Sequence, residues 1–180
     1  MQLSSLRDVK VGNYRVRIAP SIFPEARAWV QQNNRIRSPE HETGGLLWGL
    51  WDDALDIIWI FALSGPPKDS IHDPSQFVCG IEGTAQEHSR RMELSGGTCG
   101  FVGFWHTHPN MLAHQSIIDI CGMSELVTRE NQRRVLMLIF GRAGGRSAAG
   151  IYIYESEGKT KEAEFVSFKP KHLILPMAVV

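Results

Sequence analysis

The sequence has few cysteines and no long apolar run. Its three cysteines, Cys79, Cys99 and Cys121, are far apart and form no CxxC pair. This pattern argues against a disulfide framework or a structural zinc knot and favours a reducing cytoplasm. No apolar stretch reaches the roughly 18 residues of a membrane helix. The start of the chain also lacks the basic and apolar regions of a secretory signal, so we expect a cytoplasmic protein without a membrane partner.

The sequence also has no excess of positive or negative charge. The chain has 19 Lys+Arg and 19 Asp+Glu, so its formal net charge is zero. Nucleic-acid-binding domains usually carry a basic excess, so we do not expect a nucleic-acid partner. With 180 residues, of which 43% are hydrophobic, the chain is long enough for one domain with a substantial core. We therefore expect a single domain over residues 1–180.

The apolar pattern predicts a mixed order of strands and helices. The two runs before residue 64 are separated by Asp52-Asp53, which predicts a hairpin. The Gly- and Pro-containing segment 64–76 is expected to be a loop. Helices are predicted at 25–33, 82–94 and 116–130, and strands at 14–18, 44–51, 54–63, 101–105, 135–140, 150–154 and 164–168. This order indicates an α/β protein with a mixed β-sheet flanked by helices.

Two histidines follow the predicted strand 101–105. His106 and His108 are two residues apart, so in an extended chain their side chains point to the same face of the sheet. Pro109 cannot donate to a strand ladder and should end the strand. The two imidazoles can therefore bind one metal ion together.

A second polar pair starts the next predicted helix. Ser116 and Asp119 are three residues apart, and residues at this spacing are neighbours on a helix. Two histidines and one aspartate suit catalytic zinc, because three protein ligands leave the fourth tetrahedral position open. By itself, however, Ser116-x-x-Asp119 is also a common way to cap a helix.

Glu42 is the candidate general base. It stands directly before the predicted strand 44–51, whose first residues are two glycines that allow close backbone approach. Zinc lowers the pKa of water, but a base must still move the proton. Ser116 could donate a hydrogen bond to the oxyanion that forms during hydrolysis.

These residues carry a resemblance to a known family. The run His106-x-His108-Pro109, six residues, and then Ser116-x-x-Asp119 resembles the JAMM (MPN+) metalloprotease signature without a gap. Residues 42–49 resemble the family's upstream motif E-x-x-G-x-L-x-G. The likeness extends over a core of about 14–155, followed by a tail at 156–180.

The resemblance implies an MPN fold and a defined set of roles. Zinc (Zn2+) would be bound by His106, His108 and Asp119, with Glu42 as the base and Ser116 as the oxyanion stabiliser. The family cleaves peptide or isopeptide bonds after the C-terminal glycine of ubiquitin or ubiquitin-like proteins. The compact chain is similar to bacterial members, some of which are associated with activating-enzyme-like partners in antiviral operons.

The sequence is also compatible with two other functions. The chain could be a non-catalytic MPN scaffold, although such proteins usually lack the metal ligands. It could instead process a small sulfur-carrier protein. The motifs of zinc deaminases and of zincins are absent from the sequence. We expect segments 64–76 and 109–115 to form the walls of a channel for the substrate tail.

Overall fold

The computed structural model describes residues 7–129, 133–143, 146–156 and 161–162. Within these ranges the chain forms three helices and ten strands. The helices are α1 (Ile22–Ile36), α2 (Thr84–Leu94) and α3 (Ile117–Arg129). The strands are β1 (Arg7–Val11), β2 (Tyr14–Ile18), β3 (Gly44–Asp52), β4 (Ile57–Leu63), β5 (Ile71–His72), β6 (Phe77–Val78), β7 (Gly100–His108), β8 (Arg134–Ala143), β9 (Arg146–Glu155) and β10 (Lys161–Glu162).

Eight of these strands form one mixed sheet in the order β1-β2-β4-β3-β7-β8-β9-β10. β2 pairs with β4 and β7 pairs with β8 in parallel, whereas the other neighbours are antiparallel. β5 and β6 form a separate two-stranded hairpin. The longest strands, β3, β7, β8 and β9, lie side by side and provide the rigid centre on which the site is built.

The sheet curls so that strands far apart in its order meet. Tyr14 on β2 donates a hydrogen bond from its hydroxyl to the carboxylate of Glu155 on β9 at 2.7 Å. Arg134 on β8 donates to the same hydroxyl at 3.1 Å and places its guanidinium over the ring of Trp51. These contacts stabilise the curled sheet at one end, and the functional residues lie at the other end.

Two apolar clusters stabilise the fold. The larger lies between α1 and the sheet and includes the fully buried Ile18, Ile58 and Trp105. The smaller includes Met123 and Val127 of α3 and packs on β8 and β9. α2 has no buried residue and lies against β7. In the described part of the chain, no helix is both long enough and apolar enough to cross a membrane.

The expected mixed α/β architecture is confirmed, but several element bounds differ. The predicted two-residue turn at Asp52-Asp53 is wrong, since β4 begins at Ile57. The Asp52 carboxylate accepts the backbone N–H of Leu55 at 3.2 Å, and Asp56 has a positive φ of 51°. Such local side-chain bonds favour a wider turn over continued strand pairing.

Other differences lie near the start of the chain. α1 begins at Ile22, before Pro24, because the first turn of a helix tolerates a residue without an N–H. β1 was not expected, yet Val9 and Val11 alternate with polar residues and are buried. The predicted strand 164–168 and most of the tail lie outside the described residues.

Candidate metal centre

The two histidines are the last inward-facing residues of β7. His106 and His108 are 6% and 3% exposed, and both belong to the strand itself. β7 lies between β3 and β8, with Gly44 opposite His106 and Gly141 opposite His108. The predicted same-face arrangement is therefore present at the centre of the sheet, where the backbone is held on both sides.

The loop after β7 folds back over β8 and β9. Its residue Ala113 is buried, and a Cβ at Gly141 would lie 2.2 Å from the Ala113 nitrogen. Tyr152 donates a hydrogen bond to the carbonyl of Ala113 at 2.9 Å, and the hydroxyl of Tyr154 bonds to the side chain of Gln115. These contacts bring the start of α3 back to the two histidines.

Asp119 lies in the first turn of α3 and faces both imidazoles. Its Oδ1 is 3.2 Å from His106 Nε2, and its Oδ2 is 3.5 Å from His108 Nε2. Ser116 is the residue before α3, and it donates to Oδ2 from its backbone N–H at 2.6 Å and its hydroxyl at 2.7 Å. The Asp119 N–H in turn donates to the Ser116 hydroxyl at 3.1 Å. Ser116 is therefore a helix cap that also orients the Asp119 carboxylate.

Glu42 reaches the same place from β3. It is 6% exposed and lies two residues before the strand, with Oε1 3.8 Å from His108 Nε2. The adjacent Thr43 donates its N–H to the hydroxyl of Thr107 at 3.0 Å, and Thr107 N–H donates to the Thr43 carbonyl at 2.9 Å. This bond pair joins the Glu42 segment to β7 between the two histidines.

The site shifts the pKa values of its acidic groups in opposite directions. Burial raises the pKa of Glu42 to about 7 and outweighs the nearby His108. Burial would also raise the pKa of Asp119, but the hydrogen bonds from His106 and His108 hold it well below its usual range. Two neighbouring carboxyl groups with separated pKa values can therefore take different roles.

The histidine nitrogens are arranged for a shared ligand. His106 Nε2 and His108 Nε2 are 3.1 Å apart. His108 Nδ1 lies 3.3 Å from the carbonyl of Leu112, which can only accept, so Nδ1 donates there and Nε2 faces Asp119. A hydrogen bond of this kind commonly fixes the tautomer of a metal-binding histidine. Burial lowers the pKa of His108, but Asp119 and Glu42 raise it by more than that. The pKa of His108 is therefore above its ordinary value.

The structure brings all five predicted site residues together. Glu42, His106 and His108 offer ligand atoms that lie within 4.8 Å of one another, and this buried group could hold a metal ion. Asp119 is closer to the histidines than Glu42 is. Both carboxylates are therefore close enough to the two histidines to take part in the site.

Sequence reasoning missed the hairpin that covers Glu42. Segment 64–76, expected to be irregular, contains β5, and β6 follows at Phe77. The Glu42 N–H donates to the Asp73 carbonyl at 3.0 Å, and His72 Nδ1 lies 2.9 Å from the Glu42 carbonyl. The sequence gives no clear signal for this hairpin, because each of its strands is only two residues long.

These features define an α/β protein with a buried site of two histidines and two carboxylates. The model of the family "prokaryotic homologs of the JAB domain" matches residues 26–155, which include all five site residues. The chain belongs to this family, as the resemblance to the JAMM/MPN signature predicted.

The chain is also similar to individual proteins. The chain is similar to a probable metalloprotease of Sinorhizobium fredii, with 30% identity over 88 residues, which are 49% of this chain and 53% of the relative. The chain thus spans about half the length of the curated relative it matches. It is also similar in fold to the solution structure of a Desulfitobacterium hafniense protein, with a TM-score of 0.54 and 18% identity over 87% of this chain and 97% of that one.

Proposed function

We propose that this chain is a zinc peptidase that cleaves after the C-terminal glycine of a ubiquitin-like modifier. The observation that carries the proposal is the convergence of His106 Nε2, His108 Nε2 and the Asp119 carboxylate. A zinc ion with Zn–N distances of about 2.0–2.1 Å in tetrahedral geometry places its ligand atoms about 3.3 Å apart. The two Nε2 atoms are 3.1 Å apart, Asp119 Oδ1 is 3.2 Å from His106 Nε2, and Asp119 Oδ2 is 3.5 Å from His108 Nε2. An ion bound by both imidazoles would therefore have an Asp119 oxygen within reach.

The ion would be held by His106, His108 and Asp119. Bound there, zinc supplies a Lewis acid that polarises a carbonyl and lowers the pKa of water to near 7. The negative charge of Asp119 offsets part of the charge of the ion, and its low pKa keeps it ionised at neutral pH. Both histidines and Glu42 are buried, so the site is largely shielded from bulk water.

Glu42 is suited to transfer the proton from the attacking water to the leaving amine. Before an ion binds, the pKa of Glu42 is about 7, and a nearby dication would lower it, so Glu42 is ionised and able to accept a proton once the site is loaded. General acid–base catalysis is most efficient when the group's pKa is close to the working pH. Glu42 can therefore take a proton from the attacking water and give it to the leaving amine.

Ser116 has a second possible partner besides Asp119. Its hydroxyl donates to Asp119 Oδ2, so donation to an oxyanion requires rotation about χ1 towards the substrate. The backbone N–H of Ser116 keeps its own bond to Oδ2 during that rotation, which leaves Asp119 oriented. We propose that Ser116 acts both as the cap of α3 and as the oxyanion donor.

The substrate class is supported by the resemblance to the JAMM family. The name of the Sinorhizobium relative, a probable metalloprotease, supports the peptidase chemistry. We further propose a cytoplasmic role in removing ubiquitin-like conjugates in antiviral defence, with an activating-enzyme-like partner. A non-catalytic scaffold is disfavoured, because such a protein has no need of five converging polar side chains.

The proposal is tested with the zinc-loaded full chain and three fusion substrates. The first joins a ubiquitin-like domain ending in Gly-Gly to a reporter, the second has the tail changed to Ala-Ala, and the third carries a small sulfur-carrier protein. We expect cleavage of the first, little of the second, and none by Glu42→Gln. Selective cleavage of the third would assign the enzyme to sulfur-carrier processing. Failure to cleave any of them by a chain that binds zinc would overturn the peptidase proposal.

A further inference from the structure

The backbone of Glu42 is held from outside the main sheet. Glu42 lies before β3, so neither its N–H nor its carbonyl has a partner in the strand ladder. Both groups are bonded to the hairpin instead, the N–H to the Asp73 carbonyl at 3.0 Å and the carbonyl to His72 Nδ1 at 2.9 Å. Because a carbonyl can only accept, His72 Nδ1 carries the proton and donates it.

The hairpin belongs to a closed loop, residues 69–82, which we call the flap. At its base the Asp69 carboxylate accepts the N–H groups of Ile81 and Glu82 at 3.0 and 2.9 Å. The hydroxyl of Ser70 accepts the N–H of Gly80 at 3.0 Å. The two ends of the flap are thus joined independently of its contact with Glu42, so its tip is presented to the site as a preformed unit.

Packing at the tip of the flap is concentrated near Glu42. The ring of His72 is tilted against the ring of Phe77 with centroids 5.2 Å apart. Phe77 in turn covers Gly44, where a Cβ would lie 2.6 Å from the ring. The other apolar side chains of the hairpin, Ile71 and Val78, are 57% and 45% exposed. The flap therefore contributes little to the core, and its close contacts are made with the segment that carries Glu42.

The charges of the flap also act on Glu42. Burial is the largest cause of the raised Glu42 pKa, and the nearby Asp73 raises it further, whereas the backbone N–H of Phe77 lowers it. Three residues of the flap, His72, Asp73 and Phe77, thus act on the backbone or the carboxylate of Glu42.

We propose that His72 is a positioning residue, which fixes the Glu42 backbone through its Nδ1–H bond and so directs the Glu42 carboxylate at the metal centre. The inference rests on the proposed role of Glu42 as the base. Reacting groups must be held within a fraction of an ångström, and a misplacement of 1 Å can cost about a hundredfold in rate. A residue at the free end of a strand needs such support, because the ladder does not supply it.

Three variants separate the hydrogen bond from the packing. His72→Phe keeps an aromatic ring against Phe77 but removes the donor. His72→Asn removes the ring but places an amide N–H where Nδ1–H lies. His72→Ala removes both. If the hydrogen bond positions Glu42, the Phe and Ala variants share one defect and the Asn variant is close to wild type.

The first measurement does not need a substrate. In the zinc-loaded full chain, amide hydrogen exchange of Glu42 is followed by NMR, with the Thr107 amide as the internal reference. The Glu42 amide donates to the Asp73 carbonyl, so its exchange reports opening of the contact between Glu42 and the flap. It should exchange about fivefold faster or more in the Phe and Ala variants and recover in the Asn variant, because one of the two bonds that hold this contact is lost. The Thr107 amide, which bonds to the Thr43 carbonyl, should not change. Unchanged Glu42 exchange in the Ala variant overturns the proposal.

The second measurement uses the Gly-Gly fusion substrate. The Phe and Ala variants should lose about tenfold or more in kcat with KM and zinc content unchanged, and the Asn variant should recover to within about threefold. If exchange rises but kcat stays at the wild-type level, His72 has only a structural role and the proposal is overturned. If the wild type cleaves nothing, the proposed function fails, while the exchange result still decides whether His72 positions Glu42.

Discussion

The raised pKa of Glu42 predicts how the metal-free protein responds to pH. A carboxyl group with a folded-state pKa of about 7, against an ordinary value of 4.5, stabilises the fold most below pH 4.5. That contribution is lost as the pH rises through about 7, because the buried carboxyl must then ionise. Glutamine cannot ionise, so Glu42→Gln removes this loss.

The size of the effect follows from the shift. Each pKa unit corresponds to about 1.4 kcal/mol, so complete ionisation of Glu42 costs at most about 3 kcal/mol. Part of this free-energy cost already applies at pH 5. Between pH 5 and pH 8 the stability of Glu42→Gln relative to wild type should therefore increase by about 2 kcal/mol.

Urea unfolding with a chelator present measures this difference at both pH values. Glu87→Gln on α2 is the matched control, because hydrogen bonds from Arg90 and Arg91 lower the Glu87 pKa to about 2, well below the range tested. Its stability relative to wild type should be the same at pH 5 and pH 8. A difference between Glu42→Gln and wild type that does not change with pH would refute the reasoning about burial.

Three further variants test other parts of the account. Ser116→Ala should lower the free energy of unfolding by about 1 kcal/mol through loss of the helix cap, and kcat by about a hundredfold with little change in KM. Tyr152→Phe should cost about 1 kcal/mol, because the buried carbonyl of Ala113 loses its donor, and chemical denaturation would measure it. Glu87→Gln should lose about 0.5 kcal/mol at pH 7, a difference that disappears as the pH falls from 4.5 towards 2.

The relative placement of His106, His108, Ser116 and Asp119 was largely predictable from the sequence. The two-residue spacing of His106 and His108 places both side chains on one face of a strand, and the three-residue spacing of Ser116 and Asp119 makes them neighbours at a helix start. Both are local rules that hold whatever the rest of the fold does. The motif spacing then required only that the loop between them turn back, and Gly141 makes room for that turn.

The support of Glu42 was not predictable in the same way. It depends on long-range pairing of Thr43 with Thr107 and of Glu42 with the flap, and neither follows from local periodicity. The flap strands are two residues long, too short for a pattern to reveal them. The pKa of Glu42 likewise results from burial, which only the assembled structure determines.

The central claim is that His106, His108 and Asp119 bind zinc while Glu42 does not. Zinc per chain, measured on purified protein after dialysis, tests it directly in wild type, Asp119→Asn and Glu42→Gln. We predict about one zinc per chain in wild type and in Glu42→Gln, and a large loss in Asp119→Asn. Full zinc in Asp119→Asn with loss in Glu42→Gln would contradict the account, because Glu42 would then be the third ligand.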